Sequence, residues 1–234
     1  MKNDSREEIL RNIKKGLYGD TARKEGGILS RNGDRDFGKE AEDLKRDRLL
    51  HIERLVELFI KELLNVNTEV QQIETEVELK AYIIELARRK RALSFAIWDT
   101  EYLRSLGLTD FLKGKGLREI KSNDKNEIAE AGIGISGADY AIADTGTIVL
   151  LTDENRPRSV SLLPPVHVAI VKKSDIVSNI RELFIILKQT LDTTQSVPSC
   201  MTFITGPSRT ADIELNLTLG VHGPKELYVI ITPD

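Results

Sequence analysis

Cysteine, histidine and aromatic residues are scarce in this chain of 234 residues, which contains one Cys, three His and 5% aromatic residues. A single thiol forms no internal disulfide and cannot supply the set of thiolates that an iron–sulfur cluster or a cysteine zinc site needs. Cys200 lies in an apolar stretch, where a small core residue is the expected interpretation. With no His-Glu-x-x-His and no Cys-rich spacing either, we expect no metal site and no cluster held by this chain alone.

A basic excess and a long apolar run are missing as well. The net charge is −3, and the main basic run, residues 88–91, follows a helical pattern, which is typical of a helix C-terminus rather than a nucleic-acid patch. No segment approaches the roughly 20 apolar residues of a membrane span, and the charged start resembles no signal peptide. We therefore expect a cytoplasmic protein that binds neither nucleic acid nor membrane.

Periodicity and charge divide the sequence into two parts. Residues 1–74 are expected to form a helical N-terminal extension, with a helix over residues 5–17, a flexible linker at 18–38 and an amphipathic helix over 39–64. The apolar stripe of this last helix would pack on the rest of the chain, or in part on a partner. Residues 75–234 alternate helices with apolar strands, which predicts an α/β domain whose largely parallel sheet is covered on both faces.

Within the second part, the clearest predicted strands are residues 147–151 and 166–171. A helix with a continuous apolar face follows the second of these strands. Ser174 or Asp175 is predicted to cap its N-terminus, since Ser and Asp side chains accept hydrogen bonds from the first turn.

The first polar constellation is A-D-Y-A-I-A-D-T-G-T, residues 138–147. Asp144 interrupts an apolar approach to a strand, and its carboxylate could act as a general base, a nucleophile or an acceptor for a hydroxyl. Thr145, Gly146 and Thr147 would bind the ligand beside it, because a glycine permits close approach of the backbone. The alternative is an Asp-Thr-Gly turn in which Asp144 caps its own loop.

The second constellation is G-P-S-R-T-A-D-I-E, residues 206–214, directly after a predicted strand at 201–205. Loops at the carboxyl ends of strands bind ligands in open α/β sheets. Ser208 and Thr210 could cap a helical turn that attracts anions, and Arg209 offers a planar fork suited to carboxylate or phosphate. The alternative is a capped turn with an Arg–Asp surface pair. The predicted ligand-binding residues of this segment are Gly206, Pro207, Ser208, Arg209, Thr210 and Asp212.

The third constellation is G-V-H-G-P, residues 220–224. It holds His222 on a tight loop, where an imidazole can serve as acid, base or anion donor, and Gly223 would bind the ligand next to it. The alternative is a hydrogen-bonded loop histidine. Glu214 joins Asp144 and His222 as a catalytic candidate because its carboxylate could do acid–base work. His167, on a predicted buried strand, is a further ligand-binding candidate. The alternative is a core histidine whose ring nitrogens are hydrogen-bonded within the protein.

Together these segments resemble the LUD (lactate-utilisation) domain family and, in length and layout, its lactate utilization protein C branch. The matching stretches, in the family's order, are G-I-S-G-A-D-Y-A-I-A-D-T-G-T, S-V-S-L-L-P-P-V-H, G-P-S-R-T-A-D-I-E and G-V-H-G-P-K-E-L. The resemblance implies a three-layer α/β fold similar to the sugar-phosphate isomerase and CoA-transferase superfamily. It also implies a role in oxidising L-lactate to pyruvate alongside iron–sulfur subunits, with a small carboxylate or phosphate as the ligand.

Two other classes of function remain open from the residues. A stand-alone isomerase or acyl/CoA-transfer enzyme would use Asp144 or Glu214 as its base or nucleophile. A non-catalytic assembly or regulatory subunit would use the same loops and the amphipathic helix to dock a partner. The sequence also leaves a homo-oligomer open.

Overall fold

A computed structural model describes residues 37–121, 124–194, 198–211, 217–220 and 222–234 of the chain. Its helices are α1 (Phe37–Leu50), α2 (Ile52–Asn65), α3 (Glu76–Arg89), α4 (Glu101–Ser105), α5 (Leu108–Gly114), α6 (Lys125–Ala129), α7 (Ser159–Leu162) and α8 (Ile180–Thr194). Its strands are β1 (Glu69–Gln72), β2 (Ser94–Ile97), β3 (Arg118–Glu119), β4 (Ile133–Gly137), β5 (Tyr140–Ile142), β6 (Thr147–Thr152), β7 (Val166–Lys172), β8 (Ile176–Val177), β9 (Cys200–Ile204), β10 (Arg209–Ala211), β11 (Leu217–Leu219) and β12 (Glu226–Thr232). The helix predicted for residues 5–17 and most of the linker predicted for 18–38 lie outside the described residues.

The apolar stripe of α2 packs on the body of the protein, as the sequence predicts. Val56, Phe59 and Leu63 are buried in the main hydrophobic core. The prediction of one continuous helix over residues 39–64 is wrong, because the backbone of His51, at φ −117° and ψ 17°, leaves the helical conformation and separates α1 from α2. Both α2 and β1, on the N-terminal side of the predicted boundary at residue 75, pack with the α/β body.

Six strands form a parallel sheet in the order β1-β12-β7-β4-β2-β3. Apolar side chains fill the strands β7 and β12 at its centre, as expected for a sheet covered on both faces. This arrangement confirms the predicted α/β class. From β2 the chain proceeds to β3 on one side, whereas after β4 it proceeds to β7 on the other side. The adjacent strands β2 and β4 therefore form a topological switch point.

Four further strands form a second, separate sheet in the order β8-β5-β6-β9. This separation was not predicted from the sequence. In this sheet β6 is antiparallel to both β5 and β9, while β8 runs parallel to β5. Helix α8 packs on this sheet, and Leu183 and Leu187 join Ile142, Val149 and Val177 in a satellite apolar cluster. The second sheet matters for the site, because β9 leads directly into the Gly206 loop.

Helix α8 begins later than the sequence predicts. Asn179 provides the N-terminal cap, since its side-chain oxygen accepts the Glu182 N–H at 3.1 Å. The predicted cap at Ser174 or Asp175 is wrong because those residues lie in a 3₁₀ turn and the apolar residues after them form β8. Among the described residues, no helix is long and apolar enough to cross a membrane.

Candidate functional site

The loop that follows β9 and the loop that precedes β12 are joined by backbone hydrogen bonds. The Ser208 N–H donates to the Pro224 carbonyl and the Gly220 N–H donates to the Ser208 carbonyl, both at 3.0 Å. A Cβ placed on Gly223 would lie 3.1 Å from the Ser208 Cβ, so the two loops are in close contact. The second and third predicted constellations are therefore neighbours in space.

The end of helix α2 supports the same loop. Gly206 has a φ of +82°, and a Cβ at this position would lie 2.8 Å from the Val66 carbonyl oxygen. The same carbonyl accepts a hydrogen bond from Arg209 Nη2 at 2.8 Å. A glycine is needed at position 206 because the backbone has a positive φ and lies close to Val66. The Val66 carbonyl also orients the Arg209 guanidinium.

An open groove of about 460 Å³ lies over this junction, which we call the Arg209 groove. Residues of β9, the segment after it and the loop before β12 form its walls, with Val66 and Ser161 contributing from α2 and α7. The predicted site residues that line it are Gly206, Pro207, Ser208, Arg209, His222 and Gly223. The groove holds a guanidinium, an imidazole and hydroxyls, and these groups can together bind a carboxylate or phosphate.

Threonine hydroxyls connect the first constellation to this groove. Thr145 Oγ1 lies 2.8 Å from Thr147 Oγ1, which in turn lies 2.7 Å from Thr205 Oγ1. Thr205 lines the groove, whereas Thr145 and Thr147 do not. Their side chains hold the start of β6 against the end of β9, and their predicted ligand contacts stay predictions.

Asp144 is not among the residues that line the Arg209 groove. It is exposed in a 3₁₀ turn, where its own N–H donates to the Ser178 carbonyl at 3.2 Å. Partial desolvation raises the pKa of the Asp144 carboxyl above its usual value, and the charge of nearby Glu62 adds to the rise. Arg209 and His222 therefore share this groove without Asp144, and the catalytic role predicted for Asp144 stays a prediction.

Gly146 follows this turn and is buried under α2. Its φ is +61°, and a Cβ would lie 2.7 Å from backbone atoms of Glu62 and Leu63. The glycine is needed for the close approach of the helix, which favours the Asp-Thr-Gly turn among the alternatives that the sequence left open.

His167 is fully buried on β7, and the Ser136 hydroxyl lies 2.8 Å from its Nε2. Burial lowers the pKa of the imidazole from 6.5 to about 3, so the ring is neutral at physiological pH. It does not line the Arg209 groove. The ring therefore lies in the core, but its buried Nδ1 has no hydrogen-bond partner among the described residues, so it is not the fully satisfied histidine of the alternative, and its predicted ligand contact stays a prediction.

The predicted helical turn after Gly206 is wrong, because Arg209–Ala211 forms strand β10, antiparallel to Leu217–Leu219 in β11. The backbone of Thr210 pairs there with Thr218. The loop also follows a strand of the second sheet, so it does not lie at the carboxyl edge of the parallel sheet.

Two further candidates, Asp212 and Glu214, lie outside the described residues. In the part of the chain that the structure describes, no three His, Cys, Asp or Glu side chains form a group suited to a metal ion.

Sequence reasoning did not single out a polar cluster at the carboxyl edge of the parallel sheet. Asp139 lies two residues after the end of β4, and its carboxylate accepts from Arg156 Nη1 at 2.5 Å and from the Leu151 N–H at 2.7 Å. Desolvation raises the pKa of Asp139 above its usual value, against the lowering effect of these donors. Arg156 also binds Asp153. The signal that could have found the cluster is an aspartate placed two residues after a buried strand.

Comparison with known proteins gives three further observations. The model of the LUD domain family matches residues 56–232 of the chain. Lactate utilization protein C of Halalkalibacterium halodurans is 33% identical over 186 residues, covering 78% of this chain and 80% of that protein. The protein of the same name from Geobacillus sp. is 36% identical over 169 residues, covering 68% of this chain and 70% of its own.

Among solved structures, a DUF162 family protein from Deinococcus radiodurans superposes with a TM-score of 0.56 at 21% identity. The superposition covers 77% of this chain and 98% of that protein. At this level of identity the likeness concerns the fold, and it agrees with a mixed α/β architecture around a parallel sheet.

Proposed function

Because the chain belongs to the LUD domain family, we propose that it works in lactate utilization, as a subunit that acts with iron–sulfur proteins to oxidise L-lactate to pyruvate. The names of its relatives support the role in lactate utilization. Oxidation of lactate releases electrons that need an acceptor. A chain whose only thiol is Cys200 holds no iron–sulfur cluster alone, and in this proposal the iron–sulfur subunits supply the acceptor.

The Arg209 groove is the proposed site for the organic acid. The observation that carries the proposal is that Arg209 and His222 line one groove, with the guanidinium oriented by its bond to Val66. A guanidinium has five N–H donors, so a bond to one carbonyl leaves others for a carboxylate. The Ser208 and Thr205 hydroxyls, in the same groove, could bind the remaining oxygens.

His222 is the proposed proton acceptor for the substrate hydroxyl. Converting an alcohol to a ketone removes a proton from oxygen, which an imidazole can accept near neutral pH, and a hydrogen from carbon together with two electrons. In this proposal the acceptor of the partner subunits takes the two electrons, and the carbon-bound hydrogen leaves with them. His222 lies on the same groove as the arginine, so carboxylate binding by Arg209 would hold the neighbouring hydroxyl of a 2-hydroxy acid nearby. Asp144, which does not line the groove, has no part in this proposal.

Ligand-dependent thermal stabilisation tests the site. L-lactate, pyruvate or phosphate at millimolar concentration should raise the melting temperature of the wild-type protein, because a ligand that binds the folded state stabilises it. Arg209→Gln should abolish the rise. Arg88→Gln, which removes an exposed arginine on α3, is the matched control and should keep it. Full stabilisation of Arg209→Gln by these anions would show that the site assignment is wrong.

Reconstitution with the iron–sulfur subunits tests the role. Lactate-dependent reduction of a dye acceptor should require all the subunits together. His222→Gln should lower the turnover number by about 100-fold or more if it removes the general base. Co-purification of the subunits with activity unchanged by His222→Gln and Arg209→Gln would instead favour the assembly subunit. Turnover of a sugar phosphate or CoA ester by the chain alone would favour the stand-alone enzyme.

A further inference from the structure

A second cavity, of about 590 Å³, opens at the carboxyl edge of the parallel sheet, and we call it the edge cavity. It lies where β2 and β3 end, and its opposite wall comes from α7 and from the loop between β6 and α7. None of its lining residues belongs to the Arg209 groove. Its lining residues include Trp98, Asp99, Arg104, Thr109, Lys121 and Asn155.

The position of the edge cavity is one where open α/β sheets bind ligands. Strands β2 and β4 form the topological switch point, and the crevice outside their carboxyl ends is the usual binding place in such folds. Trp98 and Asp99, which directly follow β2, line the cavity. The Gly206 loop was expected to lie at such a carboxyl edge, but it follows β9, a strand of the second sheet.

Hydrogen bonds hold the walls of the edge cavity in place. The Asp99 N–H donates to the Asn155 carbonyl at 3.2 Å, and Trp98 Nε1 donates to the Pro157 carbonyl at 3.0 Å. Arg156 ties the same loop to Asp139 after β4. The loop is therefore attached to the ends of both switch-point strands, which makes the cavity preformed, as ligand sites usually are.

Apolar side chains line the inner part of the edge cavity, and its charged lining includes the carboxylates of Asp99, Glu119 and Glu154 as well as two cations. Ile97, Leu103 and Val160 contribute to the inner wall. On the rim, Arg104 is 61% exposed and pairs with the exposed carboxylate of Asp99, and Lys121 is 76% exposed and lies 3.6 Å from Glu119. The Arg104–Asp99 pair is exposed on both sides and is therefore weak. The Glu119 carboxylate is only 9% exposed, but it also pairs with Lys113 at 3.6 Å, so Lys121 can turn to an incoming anion without leaving that carboxylate unpaired.

We propose that the edge cavity binds a nucleoside monophosphate. Arg104 and Lys121 bind the phosphate at the rim, and the base lies on the apolar inner wall. Asp99, at the end of β2, accepts hydrogen bonds from the ribose hydroxyls, a task that strand-end carboxylates perform in nucleotide-binding sheets. The volume is within the range of about 300–1,000 Å³ typical of sites for organic ligands of this size, and a three-carbon acid would fill only a small part of it.

Calorimetric titration of the full chain with AMP tests the proposal. AMP should bind in a saturable way, and more tightly than adenosine or inorganic phosphate, because each of these lacks one half of the contacts. Arg104→Gln combined with Lys121→Gln should weaken AMP binding at least tenfold. The matched control combines Arg88→Gln with Arg118→Gln, two arginines of similar exposure outside the cavity, and should bind AMP like the wild-type protein.

A blocking variant tests the same site without changing a charge. Thr109 lines the cavity from the first turn of α5, and Thr109→Phe should abolish AMP binding while circular dichroism confirms the fold. Arg209→Gln should bind AMP normally, which separates this site from the proposed lactate site. The inference is overturned if millimolar AMP does not bind, if phosphate alone binds as tightly, if the double rim variant binds unchanged, or if Arg209→Gln loses AMP.

Discussion

At the scale of single residues, the A-D-T-G-T segment shows how a catalytic-looking motif can be explained by packing. Gly146 adopts a positive φ and meets the backbone of α2, and Thr145 and Thr147 form hydroxyl contacts toward Thr205. The sequence revealed the glycine and the aspartate but not the helix that crosses them, since α2 lies about 80 residues earlier in the chain. The sequence alone therefore left the catalytic and the turn interpretation of Asp144 open, and Asp144 does not line the Arg209 groove.

Gly146→Ala should destabilise the protein by about 2 kcal/mol or more, because a left-handed conformation and a steric overlap with backbone both oppose the new methyl group. The free energy of unfolding in urea measures the effect. Gly137→Ala is the control, since a Cβ there meets nothing within 4 Å and its φ is not positive. Equal stability of the two variants would contradict the close approach of α2.

At the scale of elements, the apolar stripe of α2 was a reliable local signal, because it packs on the body as predicted, whereas the predicted cap at Ser174 or Asp175 was not. The start of α3 carries another local signal, because Thr75 Oγ1 accepts the Glu78 N–H and the Glu78 carboxylate accepts the Thr75 N–H, each at 3.2 Å. Such a capping box depends on four consecutive residues and needs no tertiary contact. The segment after Gly206 was mispredicted because the partner of β10 is β11, several residues further on, and hydroxyl-rich residues suit a helix cap as well as a hairpin.

Thr75→Ala should lower the free energy of unfolding by about 1 kcal/mol, the usual effect of losing an N-terminal cap. Val77→Ala is the comparison in the same turn, because Val77 is 77% exposed and alanine has the higher helix propensity. Chemical denaturation should leave the Val77 variant as stable as the wild-type protein, or slightly more stable. A neutral Thr75→Ala would mean that other contacts fix the start of α3.

The packing of α1 on α8 includes a buried ion pair between Arg48 and Glu182, whose side chains are 8% and 3% exposed. Arg48→Met should cost about 3 kcal/mol, because it leaves a buried carboxylate without its cation. Adding Glu182→Gln should recover part of that loss in the double variant. Arg46→Met, at a 74% exposed position on the same helix, should be neutral in the same urea titration. A double variant no more stable than Arg48→Met would contradict this explanation.

At the scale of the whole molecule, a buried histidine and a half-buried aspartate act on acid stability in opposite directions. Burial lowers the pKa of His167 from 6.5 to about 3, so between these values the unfolded chain binds a proton that the folded chain does not, and stability falls as the pH falls. Burial raises the pKa of Asp175 from 3.8 to about 6, so in that window the folded chain binds the extra proton and stability falls as the pH rises.

Asp175→Asn should therefore stabilise the protein at pH 7 and make its loss of stability steeper between pH 6 and pH 4. His167→Gln should flatten the loss over the same interval, whatever its effect at neutral pH. Urea midpoints measured at half-unit steps give the slopes, which are compared with the wild-type slope. Parallel curves for all three proteins would mean that neither group has the shifted pKa given above.

The class of the fold was predictable from alternating helices and apolar strands. Six residues that line the Arg209 groove were also singled out from the sequence, but their meeting in one groove was not predictable. Arg209 and His222 face one groove because β10 pairs with β11 and because Ser208 bonds to Pro224, contacts that no local pattern in the sequence specifies. The edge cavity was missed for the same reason. Asp99 and Lys121 become neighbours only when β2 and β3 lie side by side in the sheet.

The place of β12 in the sheet has a consequence for biosynthesis. Within the described residues β1 pairs with β12 alone, and β12 separates it from β7. A ribosome must therefore translate through residue 232 before β1 can find its neighbour, and until then β1 and β7 expose open strand edges. Nascent chains that stall before β12 should recruit chaperones or aggregate on polysomes, even though most of the apolar core has already been synthesised.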